Sequence, residues 1–321
     1  MSDFTIDVHL TPADLVLALR EDAIRGLTSS PKFMPPKWLY DERGSQLFEA
    51  ITRQPEYYPT NAERRLLSAV ATEIAAAAHV DTLIELGAGT SEKTRLLLDS
   101  LGQAGTLERF VTFDVSEPTL RAAGRAIRAD YPILALHAVI GDFDHHLGKL
   151  PTGGRRLVAF LGSTIGNLGP ADRAGFLREL LATFGDDDRL LLGVDLVKDV
   201  ARLEAAYNDA SGVTAEFTHN LLHVMNRELG ADFDVDHFLH DARWEPEAEW
   251  IRIGLRSLRP QTVTLASIDL AVEFADGELM RTEVSSKFRR EALEAELAGA
   301  GFRLTEWWDN GDVALLLAAP A

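Results

Sequence analysis

The sequence predicts an α/β chain: a mostly parallel sheet with helices on both faces, plus a second, discontinuous α+β lobe. Three observations carry this. From Asp81 onward, apolar runs of strand length alternate with segments of helical period and length, the pattern of a parallel sheet covered on both sides. The first of these runs ends in a Gly-x-Gly turn that opens a helix, DTLIELGAGTSEKTRLLL over 81–98. After Leu196 the rhythm changes to helices followed by strands of antiparallel character.

In order along the chain, 15–27 reads as a helix and a helical pattern resumes near Ser45, after three prolines. Thr60 and Glu63 have capping-box spacing, so a helix is expected from there towards Ala78. Strands are predicted over 82–86, 109–113, 134–140, 156–161 and 189–196, with helices at 93–101, 118–130 and 170–184. Further on, 199–209 and 214–228 read as helices, followed by a polar segment to about Pro246. Then come strands at 251–258, 262–265 and 268–274, a helix at 290–300 and a strand pair at 303–309 and 313–318. The acidic run Gly185–Asp188 reads as a solvated turn. The sheet domain is therefore assigned to 61–196 with 287–321, and the second lobe to 1–60 with 197–286.

Bulk properties narrow the partners. The length of 321 residues allows one large α/β domain or two smaller ones. A net charge of −18 repels phosphate backbones and anionic lipid, so neither nucleic acid nor membrane is expected as a partner. With no cysteine, disulfides, thiolate nucleophiles and Cys-based metal sites are excluded. No apolar run reaches the ~18 residues of a membrane span and the start lacks a leader pattern. A cytoplasmic monomer binding a small molecule is the expectation.

The glycine turn leaves three ligands open: a dinucleotide, a nucleoside triphosphate or another riboside. No Gly-Lys-Ser/Thr follows, which argues against a phosphate-binding loop, and Glu92 stands where a dinucleotide site has its third glycine. The second strand ends FVTFDVSEPTL, and an acid there, Asp114, can accept hydrogen bonds from ribose hydroxyls; the alternative is a helix cap. In AVIGDFDHHL, Asp142 is placed to receive an exocyclic amine and Phe143 to stack on a purine, against the alternative of a solvated loop. The fourth strand ends LVAFLGSTIGNL, with glycines (Gly162 among them), hydroxyls and an amide in place of charges. A ribose acid, an adenine pair and no phosphate grip spell S-adenosylmethionine.

On PPKWLYDERGSQLFEAIT, PEYYPTNAE, IELGAGTSEKT, FDVS, GDF, FLGSTIGNL, GVDLVKD, AYNDASGVTAEF, NRELGADFD and TEVSSKF, the chain resembles the ergothioneine-pathway L-histidine Nα-methyltransferases. These are S-adenosylmethionine-dependent enzymes that convert L-histidine to its trimethylated betaine, hercynine. The resemblance implies a Rossmann-like methyltransferase domain with an added substrate domain. It implies cofactor positions at Gly87, Lys93, Asp114, Asp142 and Phe143, and histidine positions at Tyr57, Asn167, Tyr207, Glu283 and Ser285, with Val284 between the last two and Tyr40 in a stretch lining the same pocket. One departure is visible in WIRIGL over 250–255, where Ile253 stands in place of a methionine beside the imidazole.

Methyl transfer to an amine needs positioning more than acid–base help: effective molarities of ~10⁵–10⁸ M outweigh the ~10²–10⁴-fold of a general base. On this reading Asn167 and Tyr207 take the carboxylate, and Glu283 accepts an imidazole N–H while Ser285 satisfies the other side. Tyr57 and Tyr40 face the amine, with Tyr57 also the proton route through a water. The alternatives are a solvated strand-edge acid for Glu283 and packing roles for the tyrosines. No metal is expected: His145-His146 and His219…His223 lack a partner acid at zincin spacing. Rival functions are a methyltransferase for another amino acid such as tryptophan, a non-catalytic S-adenosylmethionine sensor, or a dinucleotide-dependent oxidoreductase.

Overall fold

The computed structural model describes residues 4–89, 91 and 93–321. In chain order its main elements are β1 (Phe4–Val8), α1 (Pro12–Leu27), α2 (Glu42–Ile51), α3 (Pro59–Ala78), β2 (Thr82–Leu86), α4 (Arg95–Gln103), β3 (Arg109–Asp114), α5 (Glu117–Asp130), β4 (Ala135–Ile140), β5 (Arg156–Phe160), α6 (Pro170–Leu181) and β6 (Arg189–Asp195). There follow α7 (Val200–Ala205), α8 (Val213–Leu229), β7 (Phe238–Glu245), β8 (Trp250–Ser257), β9 (Gln261–Leu265), β10 (Leu270–Phe274), β11 (Leu279–Ser286), α9 (Arg290–Gly299), β12 (Phe302–Asp309) and β13 (Val313–Pro320).

The chain divides into two units, one of residues up to Thr11, Pro59–Val197 and Phe288–Ala321, the other of Pro12–Tyr58 and Lys198–Lys287. The first is built on a sheet of order β1-β4-β3-β2-β5-β6-β13-β12, parallel from β1 to β6, with β13 antiparallel to its neighbours β6 and β12. Every residue of β2 and β5 is buried, as expected of central parallel strands covered on both faces. Phe113, Phe160, Phe176 and Leu177 lie in its apolar core, α3 packs on β13 and α5 on β4. The chain lays down β2, β3 and β4 outward in one direction, then returns to place β5 on the other side of β2. That reversal, between β2 and β5, is the switch point of a doubly wound, Rossmann-like sheet.

The second unit holds the antiparallel sheet β11-β8-β7 and the hairpin β9-β10. Helix α8 packs on α2, β7 and β8, and Phe233, Phe238 and Phe274 meet edge to face with centroids 5.3–6.1 Å apart.

Several expectations change. Phe4–Val8 is a strand, parallel to β4, so the first residues group with the large sheet instead of with the rest of 1–60. The polar segment before Pro246 contains β7, because Asp241 is buried at 6% exposure with Arg256 (2.6 Å) and Arg252 (3.2 Å) on its carboxylate. Burial alone would raise that carboxyl; the Arg256 hydrogen bond and the charges of Arg252, Arg256 and Arg243 hold it below the usual range. TEVSSKF supplies strand β11, which the sequence pattern does not single out. The helix expected from Thr60 begins at Pro59, and Glu63 turns inward instead of capping it. Asp188, the last residue of the acidic run, is 2% exposed. It accepts from the backbone N–H of Arg156 at 2.8 Å and from its Nε at 2.9 Å, so only Asp186 and Asp187 form a solvated turn.

The central strand β2 carries a buried carboxyl, Glu85, which accepts from Ser91 Oγ at 2.7 Å and from the Thr94 hydroxyl. Burial pushes it up to about 7 against those two bonds.

Two tests follow from this packing. Asp188→Ala leaves the Arg156 guanidinium buried and uncompensated, so urea unfolding should show a loss of about 3–5 kcal/mol, whereas Asp186→Ala should stay within about 0.5 kcal/mol. The raised Glu85 carboxyl keeps its proton in the fold where the unfolded chain has lost it, so stability attributable to it declines as pH rises from about 4.5 to about 7. Urea unfolding of Glu85→Gln across pH 5–8 should show the variant gaining on the parent through that window and running parallel above it.

Candidate active site

The residues singled out in the sequence fall into two sets, one in each unit. In the first unit they sit at the carboxyl ends of the parallel strands, where backbone N–H groups and side chains emerge from the sheet together. Gly87 follows β2 with φ +67° and donates its N–H to the Phe113 carbonyl at 2.8 Å. A Cβ there would stand in ordinary van der Waals contact with the Phe143 ring, at 3.6 Å, so it is the left-handed φ and not crowding that calls for glycine. Gly89, also left-handed at φ +49°, donates its N–H to Asp114 Oδ2 at 3.1 Å.

Asp114 ends β3, half-buried, and its other oxygen accepts from the Ser116 N–H at 3.0 Å. The capping alternative is thus met only in part: α5 has Ser116 at its cap position, and Asp114 also ties down the glycine turn. Burial raises the carboxyl, while the N–H groups of Ser116, Gly89 and Val115 pull the other way. Asp142 is buried, not solvated; it accepts from the His145 N–H at 2.9 Å and lies 3.1 Å from His146 Nδ1. Phe143 stacks on Phe113 at 5.6 Å and meets Phe160 edge-on at 5.3 Å. Glu92, read as an obstacle to a pyrophosphate, lies outside the described residues, as does Thr90.

Lys93 and Gly162 are joined by a residue read from the sequence only as a helix cap. Glu63 is 2% exposed; its Oε1 accepts from the Gly162 N–H at 2.7 Å and its Oε2 pairs with Lys93 Nζ. Gly193 on β6 makes this possible, since a Cβ there would stand 2.1 Å from the Glu63 carboxylate. Gly162 and Ser163 are both left-handed, at φ +76° and +57°, and turn the chain sharply off β5. Asn167 closes the single helical turn Thr164–Asn167 that follows, half-buried.

The second unit collects Tyr40, Tyr57, Tyr207, Ile253, Glu283, Val284 and Ser285. Tyr40 follows the short turn Pro36–Leu39, packing edge-on against Phe48 (5.5 Å) and Phe217 (5.2 Å). Tyr57 is buried, its ring 6.2 Å from both Phe48 and Tyr207. Burial, followed by the charge of Glu283 and the nearby Tyr57 and Tyr207 phenols, drives the Tyr40 phenol well above its ordinary range, so it stays protonated.

Strand alternation on β11 puts Glu283 and Ser285 on one face and Val284 on the other. A register shift between Arg281 and Glu283 sets the pairing of the last residues, so that Glu283 stands opposite Ile253 and Ser285 opposite Ile251. Directly opposed residues share a face, which places the apolar Ile253 beside Glu283. Tyr207 Oη lies 2.7 Å from Ser285 Oγ. The Tyr207 carbonyl takes a hydrogen bond from His240 Nε2 at 2.8 Å; burial lowers that imidazole's pKa and keeps it neutral.

Two residues of these sets were not foreseen. Glu63 is indistinguishable by spacing from a capping glutamate. Lys287 extends the Glu-x-Ser-x-Lys alternation of 283–287, a pattern legible once 279–286 is taken as a strand. Among the described residues no group of three or more His, Asp or Glu side chains is arranged to hold a metal, and His219 Nε2 bonds the Phe238 carbonyl at 2.6 Å. No described helix is long and apolar enough to cross a membrane.

Comparison with known proteins bears on the family of the chain. Residues 19–319 match the family model described as histidine-specific methyltransferase, SAM-dependent. The histidine N-alpha-methyltransferase of Mycolicibacterium smegmatis is 57% identical over 303 residues, 94% of each chain. That of Mycobacterium tuberculosis is 55% identical over 305 residues, 94% of this chain and 95% of the relative. Ergothioneine biosynthesis protein 1 of Neurospora crassa is 31% identical over 318 residues, 96% of this chain but 35% of that longer protein. With a strand-end site and a Tyr–Glu–Ser cluster in place and the family model spanning nearly its whole length, the chain belongs to the SAM-dependent, histidine-specific methyltransferases.

Proposed function

We propose that the protein transfers three methyl groups from S-adenosyl-L-methionine to the α-amine of L-histidine, giving hercynine, the first step of ergothioneine biosynthesis. The observation that carries this reading is the Glu283 carboxylate, near enough to the Tyr40 phenol to raise it and across from Ile253 on the neighbouring strand. An ionised carboxylate accepts hydrogen bonds and cannot donate, and an imidazole N–H is a donor it can take.

S-adenosylmethionine supplies a methyl already activated on a sulfonium sulfur, so the chain's task is to hold, orient and dry the reactants. Phe143 stacks on the adenine, with Asp142 for the exocyclic amine, Asp114 for the ribose hydroxyls and Gly87 bringing bare backbone to the same strand end. Lys93 and Gly162, fixed by Glu63, complete the cofactor set. On the substrate, the Asn167 amide and Tyr207 hydroxyl take the carboxylate, Glu283 and Ser285 take the two ring nitrogens, and Val284 spaces them. Ile253 gives the ring an apolar neighbour in place of a methionine thioether.

Tyr40 and Tyr57 present aromatic surface to an amine that ends as a quaternary ammonium, an attraction of about 0.5–2 kcal/mol. Each transfer requires the attacking amine to lose a proton first. Tyr40 is kept neutral by burial; Tyr57, through a water, is the proposed catalytic route. Orientation outweighs this base: effective molarities correspond to roughly 7–11 kcal/mol of barrier.

The purified protein, given S-adenosylmethionine and a panel of amino acids, should add three methyls to L-histidine by mass spectrometry. Turnover of tryptophan or another amino acid with histidine untouched would replace this reading. Glu283→Ala should raise the Kd for L-histidine by the loss of a charge-assisted bond, about 1.5–3 kcal/mol, measured by calorimetry. Unchanged affinity would remove Glu283 from the imidazole.

A further inference from the structure

Lys287 is 3% exposed, the first residue beyond β11, and by alternation lies on the face of Glu283 and Ser285. Its Nζ donates to Ser285 Oγ at 2.7 Å and to Tyr207 Oη at 2.8 Å, and stands 4.7 Å from the Tyr207 ring centroid. With the 2.7 Å approach of the two hydroxyls, the three groups close a triangle.

The bonding within it is constrained. An ammonium donates and never accepts, whereas a hydroxyl has one proton and can accept. Both hydroxyl oxygens therefore accept from Nζ, and one hydroxyl proton suffices for the bond between them. The other proton must point at an acceptor beyond the triangle. When a ligand parts the two hydroxyls, both protons turn to it while Nζ still fills an acceptor position on each oxygen. The ammonium behind them also strengthens each O–H as a donor. A lysine is an expensive residue to bury, and an apolar one would pack as well or better; its placement here gives the pair a fixed polarity.

We infer that Lys287 is a positioning residue for the amino-acid substrate, holding Tyr207 and Ser285 as donors towards the carboxylate and the unprotonated ring nitrogen, so that Glu283 is left the ring N–H. The inference rests on the function proposed above and extends it to substrate form: the site takes a neutral imidazole and an anionic carboxylate.

The test is calorimetry on the full chain saturated with S-adenosylhomocysteine, titrated with L-histidine and with L-histidinol, whose carboxylate is replaced by an alcohol. Lys287→Met should weaken L-histidine roughly tenfold or more and L-histidinol much less, with KM rising more than kcat falls and S-adenosylhomocysteine affinity kept within twofold. Equal weakening of both ligands, or unchanged histidine affinity, would overturn it.

Should the methionine variant fail to fold, Lys287→Cys provides the sole cysteine of the chain. Alkylated in urea with 2-bromoethylamine and refolded, it regains an ammonium of nearly the original reach. Its histidine-over-histidinol preference should return with the amine; refolded protein that binds S-adenosylhomocysteine without that preference counts against Lys287. Parent protein that binds no L-histidine would instead bring down the proposed function itself.

Discussion

The reversal of strand order between β2 and β5 is the constraint on which the sheet unit's chemistry depends. Because β2 to β5 are parallel, their carboxyl ends emerge along one edge, and the reversal of strand order sends the loops after β2 and β5 apart there. Gly87, Asp114, Asp142 and Gly162 come from four separate stretches of sequence, and only this edge gathers them. Left-handed glycines make the exits sharp, where a side chain would cost about 1–2 kcal/mol in the same conformation. Glu63 then fastens the edge from the helix side, its carboxylate shared between a backbone N–H and a lysine. The room it needs exists because β6 has a glycine at 193.

In the second unit the ordering principle is different. Its small sheet buries polar groups and satisfies them in sets: Asp241 with Arg252 and Arg256, Ser285 and Tyr207 with Lys287. Such sets contribute little net stability compared with an apolar core, but each fixes the direction of its hydrogen bonds. Fixed direction is what lets a site tell a ring nitrogen that donates from one that accepts, since the two differ only by a proton. The aromatic wall of Tyr40, Phe48, Tyr57 and Phe217 supplies the complementary property, surface that attracts a cation without needing it to donate.

The two halves share a logic suited to a reaction whose methyl arrives activated. Burial holds the Tyr40 phenol protonated. What the chain contributes in abundance is fixed dipoles and fixed donors, the means by which orientation lowers a barrier.

Much of this was legible in the sequence. The βα alternation, the glycine turn, the acid ending the second strand and the Asp-Phe pair follow from local period and spacing, and these survive into the structure because parallel strands and their helices are long, regular and apolar. Residues whose meaning is set by a distant partner were read wrongly or passed over. Glu63 looked like a helix cap, Asp188 like a solvated acid, Phe238–Glu245 like a polar loop and Lys287 like nothing in particular. Each acquired its role from a group far off in sequence: Gly162, Arg156, Arg256 and Tyr207 respectively. A charged side chain is written the same way whether water or a buried partner compensates it. The sequence by itself determined where strands end and which residue types stand there; the tertiary structure alone decided which charges leave water, because desolvation depends on what the fold brings alongside.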